Sequence, residues 1–289
     1  MKNLSLALLA ACAASTFALP ALSMELTETW RLEGLQMPES VIYDAANDRI
    51  IVGNMVAMGA EAGENGYLSL VSPDGEMVEE QWVTGLQDPR GMAIVGEQLF
   101  VADNMGFHII SLADGALVET VTMEGAAFPN DVTADQGGNV YISDMFNQTI
   151  WRYAGGEASI WFGPDEGMTF SNGLLAHDGQ VIVGSMGADM GENFTFGVPG
   201  GLYGVDMDGT GVTPLDGATE IGAIDGVAVI GDTIIFNDNP TGAIYGWQDG
   251  ETVELANVGS GGADISAYDS TVLVPHLQQG ALIAFSLTE

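Results

Sequence analysis

The chain has 289 residues, with 40 Asp and Glu against five Lys and Arg and a formal charge of −35. A surface this acidic repels nucleic acid and anionic lipid, because both need Lys or Arg to neutralise their phosphates. The bland consequence of the charge is a well-solvated surface suited to a salty or calcium-rich setting.

Residues 1–23 read as a secretory leader: Lys2, an apolar run from Leu4 to Leu19, then Ala21-Leu22-Ser23 ahead of a cleavage site before Met24. A periplasmic or secreted protein is therefore expected. Leu9-Ala10-Ala11-Cys12 resembles a lipoprotein box, but the apolar region before Cys12 is short for one. Cleavage before Met24 removes Cys12 and leaves no cysteine. Disulfides, thiolate catalysis and cysteine-ligated zinc are then excluded. No later apolar stretch reaches the length of a membrane span.

Residues 24–289 are expected to form a single all-β domain. A phrase recurs six times, beginning at Glu39, Arg90, Asn130, Asn172, Asp225 and Asp264. Each copy has a head residue, an apolar strand, a turn and a second apolar strand. The heads lie roughly 40–50 residues apart, the period of a four-stranded propeller blade. The third copy divides into DVTAD, NVYISDM, TIWRYA and ASIWFG, and the second into GMAIVG, QLFVADN, FHIISLA and LVETVTM. Forty glycines suit the many tight turns, and no sustained helical period appears.

A six-bladed propeller with four strands per blade follows. The sixth copy supplies only three strands (DISAYD, TVLVPHL, GALIAFSL), and one spare strand, LTETWRLE, precedes Glu39. The N-terminal strand is expected to complete the last blade and so remove the open edges. Two longer loops resemble each other, Met58–Asn65 after the second strand of blade one and Met186–Asn193 in blade four. They are expected to rim one tunnel mouth from opposite sides, with Phe194 and Phe196 offering apolar contact.

The heads are expected to converge in the central tunnel. Glu39, Asn130, Asn172 and Asp225 offer two carboxylates and two amides, an oxygen set suited to calcium or another hard divalent cation. The competing expectation is that each merely bonds its own turn backbone. The second strands end in Asn54, Asp103, Asp144, Ser185, Asp238 and His276, which are further candidates to line the tunnel. Of these His276 is open as a ligand or a water-bound tunnel residue. Arg90 heads blade two, where it would orient an anionic substrate or pair with Asp88, Asp103 or Asp131; His108 and His177 read as ordinary.

The phrases Pro38-Glu39-Ser40, Pro129-Asn130-Asp131, Ser171-Asn172-Gly173 and Ile224-Asp225-Gly226, in that order, resemble the regucalcin/gluconolactonase family. They also resemble the wider set of calcium-dependent six-bladed propellers that includes paraoxonase and diisopropyl fluorophosphatase. The likeness spans essentially all of residues 24–289. It implies that Glu39, Asn172 and Asp225 hold a catalytic calcium, that Asn130 is a ligand or substrate contact, and that Asp225 is the reactive base or nucleophile. Arg90 and His276, which the resemblance does not assign, stand beside Asn130 as candidate substrate contacts. The expected function is an exported calcium-dependent hydrolase, a lactonase acting as a monomer on a small-molecule lactone. A phosphotriesterase with the same ligands, or a non-catalytic propeller binding a ligand or protein partner, are the alternatives.

Overall fold

The computed structural model describes residues 24–57, 63–164 and 168–288. The leader at 1–23 and most of the blade-one loop, 58–62, lie outside the described residues. Six four-stranded antiparallel sheets form the ring.

Blade one comprises Pro38–Asp44, Arg49–Asn54, Gly66–Val71 and Met77–Leu86, and blade two Met92–Val95, Gln98–Asp103, Gly106–Ser111 and Leu117–Thr122. Blade three comprises Pro129–Ala134, Val140–Asp144, Thr149–Ala154 and Glu157–Phe162. Blade four comprises Ser171–His177, Gln180–Ser185, Leu202–Asp206 and Val212–Pro214. Its long loop is a separate hairpin, Gly187–Met190 with Phe196–Pro199, around a short 3-10 turn at Glu192–Phe194. Blade five comprises Ile224–Ile230, Thr233–Asp238, Ala243–Gln248 and Glu251–Asn257. Blade six joins Ser266–Tyr268, Thr271–His276 and Ala281–Thr288 to the N-terminal strand Glu25–Glu33.

The closure expected from the spare strand is therefore present. Glu25 faces Thr288 and Glu33 faces Ala281 along the antiparallel ladder. Each innermost strand touches those of the blades before and after it, so blades one and four stand opposite.

The core is divided among the gaps between blades, and strand alternation explains how. Successive side chains point to opposite sheet faces, and in a propeller both faces are covered. Ile50 and Val52 pack against blade six through Leu273 and Leu282, whereas Ile51 between them packs with Leu99 and Val101 of blade two. Phe100 and Ala102 in turn face Val132 and Ile142 of blade three. The apolar runs of the second strands are apolar on both sides for this reason.

The innermost strands meet closely at the axis. A Cβ on Gly173 would come within 2.2 Å of the Asp225 carbonyl oxygen, and one on Gly226 within 2.2 Å of the Ile265 nitrogen. Only glycine fits such an approach. Here the ring corrects the sequence reading of blade six. Ile224 pairs with Asp238 and Pro129 with Asp144, which puts the heads Asp225 and Asn130 one residue on. The equivalent pair in blade six is Gly262 with His276, so its head is Ala263 and Asp264 holds the position of Gly226. The backbone agrees: Gly91 N–H donates to the Asn130 carbonyl at 3.0 Å, and Asp264 N–H donates to that of Glu39 at 2.9 Å.

Candidate functional site

Five of the six expected heads line one cavity of about 230 Å³: Glu39, Arg90, Asn130, Asn172 and Asp225. Glu39, Asn130, Asn172 and Asp225 each stand second in an innermost strand and Arg90 two residues before one, and all five are at least nine-tenths buried. Asp264 does not join them. It lies with Asp131 at the other end of the axis, in a cavity walled by the inner strands of the blades.

Asp225 is held on both oxygens. Asn172 Nδ2 donates to Oδ1 at 2.7 Å, and Asn239 Nδ2 donates to Oδ2 at 2.6 Å. Burial pushes its carboxyl up to about 6, against the lowering effect of these two amides. Burial pushes Glu39 well above the usual carboxylate range, and the Asp225 charge adds to it while Arg90 opposes it. Glu39 Oε2 is buried without a hydrogen-bond partner among the described residues.

Arg90 is pinned. It forms an ion pair with Asp88, donates from Nη1 to the Pro129 carbonyl at 2.7 Å, and lies 3.9 Å from the centre of the Phe128 ring. Its pairing is thus with Asp88, one of the three acids considered, and not with Asp103 or Asp131.

The second-strand ends do something other than line this cavity. Asp103 accepts the N–H groups of Gln87 and Asp88, Asp144 those of Ala127 and Phe128, and Asp238 that of Ala223. Asn54 accepts the Gln36 N–H in the same way, and the Ser185 hydroxyl donates to the Thr169 carbonyl. These side chains anchor the segment entering each blade, which would otherwise carry unpaired backbone groups.

His276 behaves alike. Its Nδ1 accepts the Gln279 N–H at 3.3 Å, its Nε2 donates to the Val258 carbonyl at 3.2 Å, and it does not line the cavity. Burial lowers its pKa, which keeps the ring neutral. His108 bridges Asp103 and Thr120 at 2.9 Å each.

At five of the six ends the next residue is the one that reaches the cavity, namely Met55, Met145, Met186, Asn239 and Leu277, whereas Asn104, after Asp103, faces a different cleft. Asn239 is the functional side chain that sequence reasoning missed. Its signal was its place directly after Asp238, the same step that leads from Asp144 to Met145. Phe194 of the blade-four hairpin also lines the cavity. Phe196 stays behind the wall, 5.5 Å from the Phe170 ring.

The donor set can be tested for a hard cation. Among the described residues, no three His, Cys, Asp or Glu side chains gather in a way that could hold a metal ion. An ion here would rest on two carboxylates and on amide, water or substrate oxygens, all of which calcium accepts. The orphaned Glu39 oxygen and two acids pushed toward neutrality fit such an ion, since neither acid forms an ion pair among the described residues and Arg90 offsets the Glu39 charge only in part. Asn172 gives its nitrogen to Asp225, which leaves its carbonyl oxygen to serve as a ligand.

No protein-family model matches the chain, and no curated protein does. Solved structures do. One, a protein of unknown function from Bacteroides thetaiotaomicron VPI-5482, superposes with a TM-score of 0.69 at 10% identity, over 92% of this chain and 76% of that one. Another, provisionally assigned as a gluconolactonase, gives a TM-score of 0.66 at 15% identity, over 92% of this chain and 93% of that one. The likeness is one of fold. It agrees with the six-bladed ring implied by the sequence resemblance, and at such identity it carries no activity across.

Proposed function

We propose that this chain is an exported hydrolase of lactone or ester bonds that works with a hard divalent cation, calcium first. Glu39, Asn130, Asn172 and Asp225 would hold the ion. The observation that carries the reading is the pairing of an orphaned Glu39 oxygen with a doubly anchored Asp225 on one buried cavity.

When bound, the cation would polarise the carbonyl of the scissile bond as a Lewis acid. Asp225 supplies the reactive carboxylate. Its two oxygens are fixed by Asn172 and Asn239, so it is oriented before substrate arrives. As a base it takes the proton of the attacking water and returns it to the leaving alkoxide oxygen as the acyl C–O bond breaks; as a nucleophile it displaces that oxygen, and water then hydrolyses the acyl-aspartate. A carboxyl pushed up to about 6 is a stronger base than an ordinary aspartate and is still ionised near neutrality. Asn130 touches the ion or the substrate, and Arg90 holds the Phe128 side of the wall in place through its stacking contact.

The deciding experiment is a panel of lactones and aryl esters assayed with added calcium and with chelator. Turnover that chelator removes and calcium restores supports the hydrolase. Calcium binding with no turnover of any member would replace it with a ligand-binding propeller.

A further inference from the structure

The wall of the cavity argues about which ester or lactone would enter. Six apolar side chains line it: Met55, Phe128, Met145, Met186, Phe194 and Leu277. They arrive from four blades and from the blade-four hairpin, and Met145 and Met186 sit in one buried cluster with Ala223, backed by Phe128, Phe170 and Phe196. The same surface continues outward. Phe146 lies 4.7 Å from the Phe128 ring and 6.3 Å from that of Phe194, stacked on the latter within 11°. Phe146, Phe194 and Met190 remain 39%, 37% and 40% exposed. A chain of charge −35 that leaves an aromatic rim in water at a cavity mouth keeps it there for contact with something apolar.

The polar side chains left for a polyhydroxylated ligand are few. Arg90 is committed to Asp88 and Pro129 through its terminal nitrogens, and Asn239 to Asp225 and the Gly262 carbonyl. Among the described residues beyond the proposed ion-binding set, this leaves Gln278, the Asn239 side-chain oxygen, which neither of those two bonds uses, and the buried Nε of Arg90. A sugar lactone carries several hydroxyls, and each one buried without a partner loses affinity. Methionine, flexible and polarisable, moulds to aryl and alkyl groups. A cavity of about 230 Å³ has room for a ring of benzene size.

We infer that the site selects lactones or esters bearing an apolar arm, aryl or alkyl, seated on the methionine wall and the Phe128–Phe146–Phe194 rim, and that it discriminates against polyhydroxylated sugar lactones. The inference rests on the hydrolase reading for the reacting bond and on the wall alone for the arm.

Four substrates test it in the calcium-loaded protein: unsubstituted, pentyl-substituted and phenyl-substituted δ-lactones, and glucono-1,5-lactone. Chelator-sensitive kcat/KM should rise about threefold per methylene of the arm over the first few, and the phenyl compound should exceed the sugar lactone at least 30-fold, an order-of-magnitude expectation from the same burial. In Phe146→Ser and Phe194→Ser, both surface positions, the pentyl-to-unsubstituted ratio should fall roughly fivefold.

Glucono-1,5-lactone as the best substrate would overturn the inference and leave the hydrolase standing. If nothing is turned over, the hydrolase reading fails, and calorimetric binding of the phenyl-substituted δ-lactam decides the inference separately. Binding weakened by Phe194→Ser would support it, and no binding would end it.

Discussion

Asn130 and Asp131 are neighbours in the chain and serve opposite ends of the axis. Asn130 lines the open cavity with Glu39, Asn172 and Asp225, and Asp131 meets Asp264 among the inner strands on the other side. Both ends bury a pair of carboxyls, and they settle the repulsion differently. Asp131 accepts the N–H groups of Val132 and Leu174 and stands in side-chain contact with Asp264, an arrangement that favours one proton held between the two. Burial, followed by the Asp131 charge, holds Asp264 well above the carboxylate range. The Glu39–Asp225 end has amide donors on one acid only and an orphaned oxygen on the other, although both ends lie on cavities of similar size, about 230 and 250 Å³. A closed pair, in which acid meets acid directly, can resolve its charge with a proton, and an open pair, whose acids do not meet, is left able to take a cation.

Replacing one carboxylate at each end separates them most sharply. Asp225→Asn should lower turnover by about 10³-fold or more, equivalent to roughly 4 kcal/mol of barrier, while thermal unfolding shifts by only about 3 °C. Steady-state assay and melting of the same sample check both. Preserved turnover would remove Asp225 from the chemistry.

Gly226→Ala tests the contrast between the head position and the one after it. Its Cβ would fall 2.2 Å from the Ile265 nitrogen, so about 3 kcal/mol of stability should be lost in chemical denaturation. An unchanged midpoint would mean that the blades can spread at the axis.

The open pair should also respond to pH. The Asp225 carboxyl rises from an ordinary 3.8 to about 6 on folding, so the folded state holds the extra proton between those values. Its contribution to stability is complete below about 4 and is lost as pH rises through about 6. In chelator, the protein should therefore lose on the order of 3 kcal/mol from this group between pH 4 and pH 8. Calcium should restore the melting temperature at pH 8 and do little at pH 4, where the acids are protonated. Equal shifts at both pH values would separate any stabilisation from Asp225.

The smallest effect belongs to the closed pair. Asp264→Asn replaces a buried acid that must hold a proton to avoid repulsion and keeps a hydrogen-bonding partner for Asp131. Stability at pH 8 should rise by about 1 kcal/mol, with turnover within about threefold of the parent. A tenfold loss of turnover would show that the two ends act as one site.

Much of this was legible in the chain. The repeated phrase, the spare N-terminal strand and the polar heads at Glu39, Asn130, Asn172 and Asp225 all carry a local signature, because strand, turn and head recur together. Most of the differences are a single residue wide. The head of blade six is Ala263 and not Asp264, and Met145, Asn239 and Leu277 reach the cavity where the pattern points to their anchoring neighbours Asp144, Asp238 and His276. Side-chain direction in a strand reverses at every step, and the first two strands of most blades shift register beside the head, between Pro129 and Val132 or Ile224 and Val227. Such an irregularity leaves no mark on composition or period, yet it selects which of two adjacent residues faces the ligand.

By itself, then, the sequence determined an all-β ring of six blades closed by its own first strand, because alternation, turns and a short last repeat are local properties. Only the tertiary structure decided that Asn239 would brace Asp225, that Asp131 and Asp264 would meet away from the cavity, and that methionines would form its wall. Those facts depend on register and on how closely six strands meet at one axis, and both are set by contacts between residues far apart in the chain.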